Sequence, residues 1–114
     1  MWSDGTPLTA ADAVFTWEYC TAEGGGCAQV SYFDGVESVE AVDDLTIKIT
    51  FDAPKPFPYT ALVGSESPII QAARFADCMG AAAPTCVDAN FGPIGTGPFV
   101  VDEFKANDVI QFSA

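Results

Sequence analysis

Between Ala10 and Cys20 the apolar residues Ala10, Val14 and Trp17 recur at helical spacing. This predicts a helix from Ala10 to Tyr19 or Cys20 with that face toward the core. Thr9 stands at the N-cap and Asp12 three residues on, the arrangement of a capping box, with the acid at the positive end of the helix. Before it, Asp4-Gly5 and Pro7 read as a turn, and Gly24-Gly25-Gly26 stops any continuation. From Val36 to Phe51 the period shortens. Leu45, Ile47, Ile49 and Phe51 alternate with Thr46, Lys48 and Thr50, the pattern of a half-buried strand. Val36 to Val42 is its partner, with Asp43-Asp44 as the tight turn.

Pro54, Pro56 and Pro58 end the second strand and force an extended path. Phe57, Tyr59, Leu62 and Val63 are spaced for one amphipathic turn or a short helix. Ser67 to Ile70 reads as extended and Ala72 to Phe75 as a short helix. Gly92-Pro93-Ile94-Gly95-Thr96-Gly97-Pro98 is too rich in glycine and proline for a regular element. Phe99 to Phe104 and Val109 to Phe112 then form a last hairpin around Lys105 to Asp108. The fold class is therefore α+β: a small mixed domain with an N-terminal helix, β-hairpins and long cysteine-closed loops, residues 1–114 forming one unit. Strand character still runs at Ala114, which reads as a truncated unit.

Composition narrows the function more by exclusion than by evidence. The 114 residues carry 4 Lys+Arg against 16 Asp+Glu, a net charge of −12. Lys48, Lys55, Arg74 and Lys105 are too few and too scattered to displace counterions from nucleic acid, and an anionic membrane surface repels such a chain. With no His, the commonest general base and metal ligand are both missing. No apolar run is long enough to insert into a membrane, and no signal peptide opens the chain.

Cys20 and Cys27 bracket a glycine-rich stretch, and Cys78 and Cys86 an Ala/Pro-rich one. Zinc sites pair ligands closer together than this, so two local disulfides are the better reading, with four free buried thiols as the alternative. Disulfides imply an exported protein, here a mature product or an excised piece.

Other candidate chemistry dissolves on inspection. Gly95-Thr96-Gly97 lacks the Lys-Ser/Thr and following helix of a phosphate loop. The acid pairs Asp43/Asp44 and Asp102/Glu103 point to opposite strand faces, unlike the carboxylates of a glycoside hydrolase. No calcium loop is present, and the six serines Ser3, Ser31, Ser38, Ser65, Ser67 and Ser113 have no His partner for a triad. No metal, cofactor or catalytic group is expected. Tyr32 and Phe33, beside a disulfide loop and a turn glycine, are placed either to line a ligand pocket or simply to fill the core.

Three ordered blocks carry a resemblance. Trp2-Ser3-Asp4-Gly5-Thr6-Pro7-Leu8-Thr9-Ala10-Ala11-Asp12-Ala13-Val14 resembles a signature of the family 5 extracellular solute-binding proteins, the oligopeptide-, dipeptide- and nickel-binding components of ABC importers. Val36 to Ile49 resembles the hairpin of that family. Pro93-Ile94-Gly95-Thr96-Gly97-Pro98-Phe99 resembles its Gly-Thr-Gly-Pro motif, with Gly92 where Asn is usual. The cysteine loops are not general to the family. The resemblance implies a fragment of a type II periplasmic-binding-protein-like fold, mainly the small extra domain beside the N-terminal lobe, with residues 95–114 leading back into the main lobe. It implies capture of a peptide or similar small solute for an ABC permease, no catalysis, and a monomer that is periplasmic or lipid-anchored at the cell surface. It also implies a tyrosine reaching the ligand. Tyr32 is the candidate, with Tyr19 and Tyr59 as the other possibilities. The competing expectation is a free-standing acidic extracellular interaction module without a transport role.

Overall fold

Thr9 and Asp12 start the first helix as their spacing predicts, Thr9 N–H donating to Asp12 Oδ2 at 3.0 Å within a capping box. In this computed structural model, which describes residues 1–63 and 67–114, helix α1 spans Ala10–Thr21. Ser65, one of the six serines, lies outside the described residues. The buried positions of α1 are Ala10, Asp12, Ala13, Thr16, Tyr19 and Cys20. Val14 is only half-buried, and Trp17 packs half-buried against the core, so the expected stripe is rotated. The cause is polar. Thr16 is drawn inward because its hydroxyl donates to Asp12 O at 2.7 Å and accepts Ile70 N–H at 2.9 Å.

Strands β1 (Val36–Asp43) and β2 (Thr46–Phe51) pair antiparallel, with Val36 opposite Phe51, Val39 opposite Ile49 and Ala41 opposite Ile47. Val39 is buried. The turn lies one residue later than expected. Asp43 pairs with Thr46, and Asp44-Leu45 forms the turn, with Leu45 N–H donating to Asp43 Oδ1 at 2.8 Å. That capture by an aspartate side chain removes Leu45 from the strand and leaves it 85% exposed. The hairpin is tied to α1 by Ala10 N–H donating to Asp44 O at 2.8 Å.

No helix forms over residues 57–63, which hold only a turn at Ala61-Leu62, and Phe57, Tyr59 and Val63 are exposed. The proline spacing keeps this segment extended against its apolar pattern. Helix α2 covers Ala72–Phe75 as expected. The second cysteine loop holds a 3₁₀ turn over Gly80–Thr85, and a further short helix α3, Val87–Phe91, went unread in the sequence. Strands β3 (Val100–Phe104) and β4 (Ile110–Ser113) form the last hairpin, slightly shifted from the expected bounds, so that Phe99 is outside it and exposed. The fold is thus mixed α and β with two separate two-stranded sheets.

The core lies at the C-terminal end of α1. Tyr19, Cys20, Phe33, Ala61, Cys78 and Ala83 form one buried cluster, with Phe15, Ile70 and Phe75 packed around it. The Tyr19 ring meets Phe75 edge-on at 5.8 Å between centroids. Both expected disulfides, Cys20–Cys27 and Cys78–Cys86, are formed, with Cα separations of 4.9 and 5.9 Å. Their loops lie against each other, since a side chain added at Gly24 would meet the Ala81 backbone and one at Gly80 the Glu23 carbonyl.

Candidate functional site

The three sequence blocks, distant along the chain, converge in space. Ser3 N–H donates to Gly95 O at 2.8 Å, joining the first block to the third. Asp12 is the hub. Its Oδ2 accepts Trp2 Nε1–H at 3.3 Å and Thr9 N–H, while Oδ1 accepts Ala72 N–H at 2.9 Å from the first turn of α2. Gln71 sits beside it, 5% exposed, donating from Nε2 to Asp4 Oδ2 at 2.7 Å and to Thr6 Oγ1 at 2.9 Å. The Asp4 carboxyl is held below its ordinary range, first by the Gln71 amide and then by Thr6. Each donor is met by an acceptor, so the Trp-Ser-Asp-Gly block works as a clasp that is buried at Trp2, Asp12 and Gln71 and open to solvent at Asp4. The sequence carried a signal for it: an acid at the third helical position with Thr16 one turn on.

Two hollows adjoin this clasp. The wider one, of about 510 Å³, is walled by Trp2, Leu8, Ile69, Ile94, Gly95 and Thr96 among others. Its walls join the first block to the third. The second, of about 200 Å³, lies beneath the Cys20–Cys27 loop, between Tyr19, Phe33, Ile70 and Phe75. Among the described residues no charged side chain lines either hollow.

Phe33 fills the core, as the second of the two expectations for the aromatic pair has it, at 5% exposed, and it also forms a wall of the smaller hollow. Tyr32 is half-buried in the 3₁₀ turn Val30–Phe33 and lines neither hollow, and its carbonyl accepts the Thr60 hydroxyl at 3.0 Å. Tyr59 is exposed on the extended segment, whereas Tyr19 is buried and faces the smaller hollow. That role of Tyr19 was hidden in the sequence, because a helical tyrosine looks the same whether it ends in core or cavity.

The four basic side chains are all engaged. Lys48 pairs with Glu40 at 3.6 Å and Lys105 with Glu103 at 2.9 Å. Lys55 Nζ donates to Asp34 O and lies 5.4 Å from the Phe51 ring centroid. Arg74 donates to the carbonyls of Ala89 and Asp88, holding α3. Among the described residues no three His, Cys, Asp or Glu side chains gather as metal ligands, and no helix is long and apolar enough to cross a membrane.

The convergence of the three blocks agrees with what comparison with known proteins finds. The family model for bacterial extracellular solute-binding proteins, family 5, middle region, matches residues 1–114. The chain belongs to this family. The periplasmic oligopeptide-binding protein OppA of Escherichia coli K12 is 33% identical to this chain over 90 residues, 63% of the chain and 17% of OppA. Heme-binding protein A of Haemophilus influenzae is 39% identical over 80 residues, 69% of the chain and 14% of that protein. The structure of the oligopeptide-binding protein AppA of Bacillus subtilis, solved with a nonapeptide, superposes with a TM-score of 0.83 at 25% identity, covering 100% of the chain and 22% of AppA. The family 5 chain therefore spans 14–22% of the length of these proteins, and its fold is a piece of a larger one.

Proposed function

We propose that this chain is one part of a longer ABC-importer substrate-binding protein that captures a peptide or similar small solute outside the membrane and delivers it to a permease. The whole-chain family match carries this reading. The oligopeptide binders OppA and AppA favour a peptide, while heme-binding protein A widens the solute class. The parent is a binder without catalytic chemistry, monomeric, and periplasmic or lipid-anchored at the cell surface. Its lobes close on the solute by a hinge motion that shifts an open population to a closed one.

Within that parent, residues 1–114 act as one domain serving as scaffold or cleft wall, and 95–114 lead back into a main lobe. The exposed apolar side chains Phe104, Ile110 and Phe112 on the last hairpin, with Phe99 just before it, support the docking of further polypeptide there. Tyr32 is the residue of this chain that reaches the solute. The test is mass spectrometry of solutes co-purified with the full-length protein, followed by calorimetry with those solutes. We expect tight binding by the full-length protein, about tenfold weaker for Tyr32→Ala, and none by residues 1–114 alone. A full-length protein that carries and binds no solute defeats the reading.

A further inference from the structure

Tyr19 is 5% exposed, yet its hydroxyl makes no hydrogen bond to any described residue. It is not sealed from solvent as the Trp17 Nε1 atom is, and Tyr19 lines the hollow beneath the Cys20–Cys27 loop. Open to the hollow and without a protein partner, the hydroxyl can donate to an acceptor on a ligand that takes the place of water there. The surrounding chemistry restricts which ligand. Phe33, Phe75, Ile70 and the Cys20–Cys27 disulfide give apolar walls. Thr16 also borders the hollow, but its hydroxyl is already spent on Asp12 O and Ile70 N–H, while Gln29, Ser67 and Asn90 add polar groups to the lining and Tyr19 contributes an unengaged donor. Among the described residues no Asp, Glu, Lys or Arg lines it, so these walls offer an ion no compensating charge, and the net charge of −12 further disfavours anions. A volume of about 200 Å³ is below the usual range for drug-sized ligands, and it suits a single ring or a branched aliphatic group.

We infer that this hollow is a binding site for one small uncharged apolar group, aromatic or branched, that bears a hydrogen-bond acceptor for the Tyr19 hydroxyl. It shares Pro68, Ile70, Phe75 and Asn90 with the wider hollow between the sequence blocks, and the inference does not depend on which solute the parent protein transports. Acetophenone, a single ring with a ketone acceptor, is a suitable probe, followed by saturation-transfer NMR on the full-length protein. Two variants locate the signal. Tyr19→Phe keeps the ring and removes the donor, while Ala28→Trp puts a bulky group on an exposed residue lining the hollow. Saturable transfer is expected, about fivefold weaker in Tyr19→Phe, the usual cost of one neutral hydrogen bond, and lost in Ala28→Trp. No saturable transfer, or transfer that either variant leaves at full strength, overturns the inference. Solute capture measured on the same preparation separates the two readings. Capture without acetophenone binding defeats only the present inference, and acetophenone binding without capture defeats only the transport reading.

Discussion

Trp2 and Asp12 are joined by a hydrogen bond from the indole N–H to the buried carboxylate at 3.3 Å, across ten residues of chain. The same carboxylate accepts Thr9 N–H and Ala72 N–H, so one side chain links the opening turn, the start of α1 and the start of α2. Asn in its place offers one acceptor oxygen and an amide that faces donors. Asp12→Asn is therefore expected to cost about 2–3 kcal/mol, and Trp2→Phe, which keeps most of the buried ring, about 1–2 kcal/mol. The double variant should cost less than the two together, because both remove one bond. Urea unfolding of the three variants measures this, and full additivity would show that the two side chains do not act as a unit.

A second expectation concerns the contact between the cysteine loops. A Cβ at Gly26 would run into the Tyr19 hydroxyl and lie 3.0 Å from Ala83 Cβ, both in buried residues. Gly26→Ala should destabilise by about 1–3 kcal/mol, the range for overpacking a core. Gly97, by contrast, has nothing within 4 Å of such a Cβ, and Gly97→Ala is expected to stay within about 0.5 kcal/mol of the parent. Equal unfolding midpoints for the two variants would contradict this account.

Much of this architecture was legible in the chain, for reasons that particular residues make plain. The Thr9–Asp12 capping box and the alternation from Thr46 to Phe51 depend on neighbours in sequence, and both formed. Leu45 was misread because period-two alternation cannot see that Asp43 captures the next turn amide. Thr16 was unread as a core residue because its burial depends on Ile70, 54 residues away. The same limit hid the candidate hollow: Tyr19, Phe33 and Phe75 come together only through tertiary packing. The cysteine spacing gave the disulfides correctly, since each loop is short and glycine- or alanine-rich.

Removing either disulfide as a Cys→Ala pair is expected to cost about 2.5 kcal/mol, the chain-entropy value for loops of this length. The loops share a contact, Gly24 against Ala81 and Gly80 against Glu23, which opening either one loosens. Removing both should therefore cost less than the sum of the separate losses. Thermal unfolding of the two paired variants and the fourfold variant decides it, and simple additivity would mean that the loops are energetically independent.

Acid should weaken the fold through two carboxyls in particular. Asp43 is held below its ordinary value of 3.8 by the Leu45 N–H and then the Thr46 side chain, and Asp4 by the Gln71 amide and then Thr6. In each case the folded state binds the proton less readily than the unfolded state. The associated stability is complete above the ordinary value and is lost as pH falls through the lowered folded values. Both carboxyls are open to solvent, so each contribution is small. The chain has no His, so no imidazole titrates between about pH 5 and 8 and Tm should be level there. Tm should then decline below the ordinary aspartate value. Asp4→Asn and Asp43→Asn should each lower Tm at neutral pH and flatten the acid decline. A variant that loses stability at neutral pH but keeps the full acid slope would show that its carboxyl is not among the groups that titrate with unfolding.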